Sequence, residues 1–361
     1  MKAESDIRIA MDWLPNTCSH TGILLAHELG YFEEEGIRTP SLISPHCDGY
    51  TRTPVDRITD GSADLALVPS ESIISSNDPS SSKTPLIALA SILASDASSI
   101  MSLSLSRPRE LDNREYASYG ARFEGRLIKS LVQADGGLGS FNEDTEAGML
   151  GAFDSVLQRK ADATWIFSPW ERQLAECKGF NTSELSEFKL EEYGIPYSYS
   201  PVIATSASIR YQKKDAVARV LHALSRGYKA AANADNAPQI AAAFKRATRE
   251  LFPEQTEHLR PRETDGEDEI DAFLSKSVAH ASQHILRDDG SWGVMDRSRF
   301  DRFVNFLDDK GFLTDAIPSR QPDGKSTFSL QCLRNEHCGN RLLKSDFSAD
   351  KLIDNSFMLQ E

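Results

Sequence analysis

Asp12, Trp13, Asn16, Cys18 and His20 fall within one short stretch, DWLPNTCSH. A carboxylate, an indole, an amide, a thiol and an imidazole this close together could hold a planar ligand. The indole would stack on its face, and Asn16 and His20 would contact its edge. The plainer reading is that Trp13 packs and Asn16 makes a turn. The flanking elements decide how these side chains are placed. Residues 7–11 read as an apolar strand, and Pro15 breaks it by fixing φ and removing a donor. Leu24, Leu25, His27, Glu28 and Leu29 continue at helical spacing. Thr17 or Ser19 is placed to cap that helix, and Gly30 to end it in the left-handed conformation. A strand that feeds a loop opening a helix leaves backbone N–H groups free for a ligand.

Further stretches carry chemistry of the same kind. YGARFEGR, residues 119–126, sets Gly120 and Gly125 between a strand and a helix. Tyr119 opens this turn. Glycines let backbone N–H groups approach an anion, and Arg122 or Arg126 could add a bidentate contact. The alternative is a tight turn with a surface Arg. Trp165 and Trp170 flank Ser168-Pro169, with Glu171 next. Trp165 reads as the end of a buried strand, and Trp170 as a stacking surface with Glu171 reading a ring amine. Ser70 and Glu71 follow a strand ending at Val68, at the carboxyl end where α/β folds place ligands. Tyr197 lies with Tyr193 and Tyr199 in a segment expected to face a cleft.

A third group could do covalent chemistry. A thiolate beside an imidazole is a usable nucleophile. Cys18, His20, His46, Cys47 and Arg52 lie in neighbouring loops and form such a cluster. No metal is expected: neither these residues nor Cys332, His337 and Cys338 form a paired-ligand framework. His222, His258, His280 and His284 read as helix-surface or packing residues.

The totals narrow the function classes. A chain of 361 residues is about two domains' worth. Its net charge of −14 argues against nucleic-acid and anionic-membrane surfaces, though not against a small anionic ligand met by local Arg and N–H groups. Five scattered cysteines suit a reducing compartment better than a disulfide framework. The first residues hold no apolar core of signal-peptide length, and no apolar run is long enough to span a membrane. A cytoplasmic protein with a small-molecule partner is expected, with a homodimer left open.

Along the chain, residues 5–100 alternate strand and helix, the pattern of a parallel α/β sheet. Strands are expected within 37–43, 63–68 and 86–93, and a short helix ends at Gly61. A crossing near 101–108 leads to a strand at 116–118, helices at 125–134 and 150–158, and a strand at 161–167. The chain crosses back within 193–204. Helices are expected at 214–232, 237–248 and 268–285, and Phe300, Phe303, Val304 and Leu307 show helical spacing. This gives two lobes, residues 1–100 with 200–361 and residues 101–199.

DWLPN, then HTG and GYF, with GSADLALVPSES (61–72), YASYGARFEGR, ADATWIFSPWE and EEYGIPYSYSPV, resembles the sulfonate-binding and thiamine-pyrimidine-synthase family. The resemblance covers most of residues 5–230 and loosens toward 320. It implies the type II periplasmic-binding-protein fold: two α/β lobes, two crossovers and a central ligand cleft. It also implies a phosphate held by the Gly-rich turn at 119–126. The family's synthases carry a Lys that binds pyridoxal phosphate and a His consumed in the reaction. Here those positions are Val68 and Ser72, and the synthases' Cys-rich run is missing. The single-turnover pyridoxal-phosphate mechanism therefore does not carry over; pyridoxal phosphate stays open only through another Lys, to which nothing points. The order Cys18, His46, Tyr-Thr-Arg52 is also similar to the aromatic sulfinate desulfinases, at different spacings; that resemblance implies Cys18, His46 and Arg52 as the catalytic candidates.

The resulting expectation is a cytosolic protein binding a small heterocyclic or anionic metabolite linked to thiamine-pyrimidine synthesis. Its rivals are a non-catalytic binding protein of transporter ancestry and a Cys-dependent carbon–sulfur lyase.

Overall fold

A computed structural model describes residues 6–145, 148–315 and 339–358. It divides the chain into two compact units. The first holds Met1–Asp96, Tyr199–Phe300 and Ser345–Glu361; the second holds Ala97–Ser198 and Asp301–Lys344.

In the first unit, β1 (Arg8–Ala10), β2 (Ser41–Ile43), β3 (Leu65–Val68) and β4 (Leu86–Ser91) form before the chain leaves. In the second, β5 (Ser98–Ser102), β6 (Glu115–Ala117), β7 (Asn142–Asp144), β8 (Ala163–Phe167) and β9 (Ser186–Phe188) follow, and β10 (Val202–Ser206) lies back in the first. The sheet orders are β2-β1-β3-β10-β4 and β7-β6-β8-β5-β9.

The four strands from residues 5–100 run parallel, as expected, and the returning β10 makes the sheet a mixed one. β1 runs parallel to β2 and β3, with Ala10 opposite Ile43 and Ala66. β10 is antiparallel to both β3 and β4. It is the strand that carries the returning chain into the sheet, so its direction is set by that return rather than by a βα repeat. β5 plays the same part in the second unit, antiparallel to β8 and β9.

The core of the first unit is the continuous apolar run of β3 with Ile9, Leu89 and Ile203, all fully buried. Helix Thr21–Glu28 packs on helix Lys214–Ala231. Neither Thr17 nor Ser19 caps it: His20 is its N-cap without a side-chain bond, and Gly30 just beyond takes φ +72°. Helix Ala237–Leu251 packs on helix Glu267–Ile285. Residues 301–315 and 339–344, expected with the first lobe, group with the second unit. There Phe303, on helix Arg297–Asp309, packs edge-on against Tyr197 with ring centroids 5.4 Å apart, and Phe312 accepts a bond from Arg126. No helix among the described residues is long and apolar enough to cross a membrane.

Candidate functional site

Three neighbouring parallel strands of the first unit, β2, β1 and β3, end at one edge of their sheet. The pairing extends past β1, since the Met11 N–H donates to the Ile43 carbonyl at 2.9 Å. The loops 44–52, 12–20 and 69–71 therefore leave that edge side by side.

The 12–20 loop is rigid for reasons internal to it. Asn16 Oδ1 accepts from the N–H groups of Cys18 and Ser19, at 3.0 and 2.8 Å, and its amide nitrogen donates to the Leu14 carbonyl. The Asn16 N–H donates to His20 Nδ1 at 3.1 Å, so His20 carries its proton on Nε2, which donates to Asp12 Oδ1 at 2.9 Å. His258 Nε2 bonds the Pro15 carbonyl from a separate segment. Burial holds the His258 imidazole below its usual range. Asn16 and His20, expected at the edge of a ligand, use these polar atoms to shape the loop. His258, which was read as a packing residue, is part of the same framework.

What the loop presents is Trp13, half-buried, beside Tyr50, with ring centroids 6.1 Å apart and planes tilted by 59°. His46 meets the other side of Tyr50 edge-on at 6.2 Å. Tyr50 has a left-handed backbone, φ +63°, which costs a non-glycine residue energy and marks a constrained position. Its hydroxyl is buried and has no hydrogen-bond partner among the described residues. Burial pushes that hydroxyl up to about 12, so it stays a neutral donor. Ser70, two residues past β3, is also buried, and its Oγ has no partner among the described residues, while its N–H donates to the Tyr199 carbonyl at 2.9 Å. Glu71 beside it is buried.

The covalent candidates are arranged differently. Cys18 is buried, His46 is exposed, and Arg52 is committed to an ion pair with Asp60 and to Ser62 Oγ at 3.0 Å. Arg52 is therefore corrected from a candidate catalytic cation to a loop tie. Cys47 Sγ accepts from Arg57 at 3.2 Å. Cys332, His337 and Cys338 lie outside the described residues. Among the described residues no group of three or more His, Cys, Asp or Glu is placed to hold a metal.

In the second unit, the turn after β6 does not stand open for an anion. Gly120 takes φ +66°, as the turn requires, but the N–H groups of Tyr119, Gly120 and Ala121 are used internally. Glu124, at the start of helix Glu124–Ala134, turns back into the turn. Its Oε1 accepts from Tyr116 OH at 2.9 Å and Tyr119 N–H at 3.2 Å; its Oε2 accepts from Ala121 N–H at 3.0 Å and meets Ser118 Oγ at 3.0 Å. Ser118 Oγ also lies 2.7 Å from Glu143 Oε1 and accepts from Gly120 N–H. One hydroxyl has one hydrogen, so its second carboxyl contact requires a proton held by Glu124 or Glu143. Burial, then the Glu143 charge, pushes Glu124 up to about 7. Gly125 is small because a Cβ there would strike the Glu143 carboxylate. Arg122 is half-buried, and Arg126 donates to the Phe312 carbonyl at 3.0 Å. The turn expected to hold a phosphate is filled by the Glu124 carboxyl.

The two tryptophans exchange roles. Trp165 is half-buried on β8 and meets Tyr197 edge-on at 5.1 Å, whereas Trp170 is buried. A single π-helical turn, Ser168–Arg172, follows β8 and rotates Trp170 inward. Tyr197 is buried between Trp165 and Phe303. Glu171 accepts from the Phe167 N–H at 2.9 Å, and burial pushes its carboxyl up to about 7. Sequence reasoning missed Glu187, which accepts from Ser99 at 2.8 Å, from Ser168 and from Arg172. No spacing signal links those four residues. Tyr50, Glu124 and Glu143 were also missed; Glu124 alone had a signal, as an acidic residue opening a helix.

Residues 17–238, more than half of the chain, match the family model described as NMT1/THI5 like. The chain belongs to the NMT1/THI5-like family. This member's fold is that of the periplasmic binding proteins. It is similar to the ligand-binding component of an ABC-type import system from Staphylococcus aureus, solved with zinc bound, at 13% identity and TM-score 0.59 over 99% of each chain. It is similar to the alkanesulfonate-binding protein SsuA from Xanthomonas axonopodis pv. citri bound to MOPS, at 12% identity and TM-score 0.51, covering 88% of this chain and 96% of that one. The periplasmic nitrate-binding protein NrtA from Synechocystis PCC 6803 aligns at 14% identity and TM-score 0.52, over 71% of this chain and 69% of that one. At such identities the likeness carries the fold alone. No curated protein matches the sequence.

Proposed function

We propose that this NMT1/THI5-like protein is a cytosolic binder of a small planar heterocycle, of the thiamine-pyrimidine class, seated on the carboxyl edge of β1 and β3 in the first unit. The observation that carries this reading is the pairing of half-buried Trp13 with Tyr50, whose neutral hydroxyl is buried without a partner among the described residues. A ring stacked on the indole would bring an acceptor to that hydroxyl and satisfy it. The rigid Asn16 and His20 framework sets the indole in place before a ligand arrives, which lowers the entropy lost on binding.

Binding is favoured over pyridoxal-phosphate chemistry because Val68 and Ser72 offer neither the amine nor the imidazole that the synthases use. The cytosolic reading is supported by the five scattered cysteines, which suit a reducing compartment better than a disulfide framework. The test is a fluorescence titration of the full chain with 4-amino-5-hydroxymethyl-2-methylpyrimidine, beside an alkanesulfonate. Saturable quenching by the pyrimidine alone supports the proposal. Saturation by the alkanesulfonate alone would replace it with a sulfonate-binding function. Native mass spectrometry of protein purified from its own host then weighs the retained ligand.

A further inference from the structure

We propose that Glu124 is a specificity-determining residue: its carboxyl fills the Gly-rich turn of the second unit and so excludes phosphate and sulfonate groups from it. This deepens the small-molecule-binding reading and rests on it, because it states what class of group the turn refuses. Three donors, the Tyr116 hydroxyl and the Tyr119 and Ala121 N–H groups, bond this carboxyl, and Ser118 Oγ makes a fourth contact at 3.0 Å. Both carboxyl oxygens are therefore engaged within the turn. The Gly120 N–H is spent on Ser118. An incoming oxyanion would find every one of these amides engaged.

Three further features point the same way. The space cleared by Gly125 is taken by the Glu143 carboxylate, not left for a ligand. Two carboxyls sharing a proton beside the turn repel a second anion at short range in a buried setting. The Arg126 guanidinium, which could have paired with an oxyanion, donates to the Phe312 carbonyl and lies over the Phe312 ring at 5.4 Å. A ligand group that meets this turn must be neutral or carry an amine. A phosphorylated or sulfonated metabolite is disfavoured there.

The test follows the Tyr119 and Ala121 amides by NMR hydrogen exchange in the full chain, with sodium sulfate against sodium chloride at matched ionic strength. In the unsubstituted protein both amides should be protected without sulfate, and sulfate should leave their rates unchanged. In Glu124→Ala/Glu143→Gln, exchange in chloride should rise at least about tenfold, as expected for loss of a charge-assisted bond, and sulfate should restore protection. Free exchange that sulfate slows in the unsubstituted protein overturns the proposal, and so does a folded double variant that ignores sulfate. If the double variant does not fold, the unsubstituted protein decides alone. Pyrimidine binding is read separately at Trp13, so failure of one result does not imply failure of the other.

Discussion

The aromatic ring of Tyr228 occupies the space where Gly22 would carry a side chain. Its hydroxyl donates to the Ser19 carbonyl at 2.6 Å, and its other face stacks on Trp292 with centroids 4.6 Å apart and planes 8° from parallel. A Cβ on Gly227 would in turn strike the Gly22 carbonyl. The two helices thus touch backbone to backbone just behind the 12–20 loop. Gly22→Ala should push the ring away and break its bond to Ser19. The expected cost is about 1–3 kcal/mol of stability from overpacking, read as a lower Tm in thermal denaturation. An unchanged Tm would mean that the helices separate freely.

Asp64 is buried and bound by Arg8 and Lys213, with Lys213 Nζ at 2.9 Å and the Arg8 N–H at 2.9 Å. Burial alone would raise its pKa, but the bonds from Arg8 and then Lys213 outweigh it and hold the carboxyl below its usual value. Its folded pKa is depressed, so its stabilisation is present above the unfolded value of 3.8 and is lost as pH falls through the folded one. Asp64→Asn should cost about 3 kcal/mol at neutral pH by leaving two cations without their buried partner. Urea denaturation of both proteins checks this, and the gap should narrow in acid.

Glu124 behaves in the opposite sense. Its folded pKa is raised from 4.5 to about 7. The stability it contributes is complete below 4.5 and is lost as pH rises to about 7, a change on the order of 3 kcal/mol. Glu124→Gln should reduce the pH dependence of stability in that window, leaving the share of Glu171, whose carboxyl is also pushed up to about 7. If the variant keeps the same slope, the proton resides elsewhere.

Tyr50→Phe separates stability from binding. Removing a buried hydroxyl that lacks a partner should leave the free protein as stable or raise its stability by about 1 kcal/mol. Pyrimidine affinity should fall by roughly tenfold, one neutral hydrogen bond. Calorimetry gives both numbers; lower stability with unchanged affinity would assign the hydroxyl to the fold instead.

The strands and long helices were legible because apolar runs such as LALV and the spacing of Phe300, Phe303, Val304 and Leu307 follow directly from burial. The direction of β10 was not, because it depends on where the returning chain enters the sheet. YGARFEGR was legible as a turn of converging N–H groups, but any carboxylate satisfies such donors, and Glu124 lies near enough in sequence to reach them first. Trp165 and Trp170 were exchanged because strand alternation stops at Phe167 and the π-helical turn resets the facing of each later side chain. Tyr50 gave no signal at all: a buried hydroxyl without a partner exists only in three dimensions.

Trp13 carries the central claim. Trp13→Leu keeps apolar bulk and removes the π face, and affinity for 4-amino-5-hydroxymethyl-2-methylpyrimidine and Tm should be measured together on that single variant. The account predicts binding weaker by about 0.5–1.5 kcal/mol beyond any area effect, with Tm nearly unchanged because the indole is only half-buried. A lower Tm with unaltered affinity would contradict it and make Trp13 a packing residue.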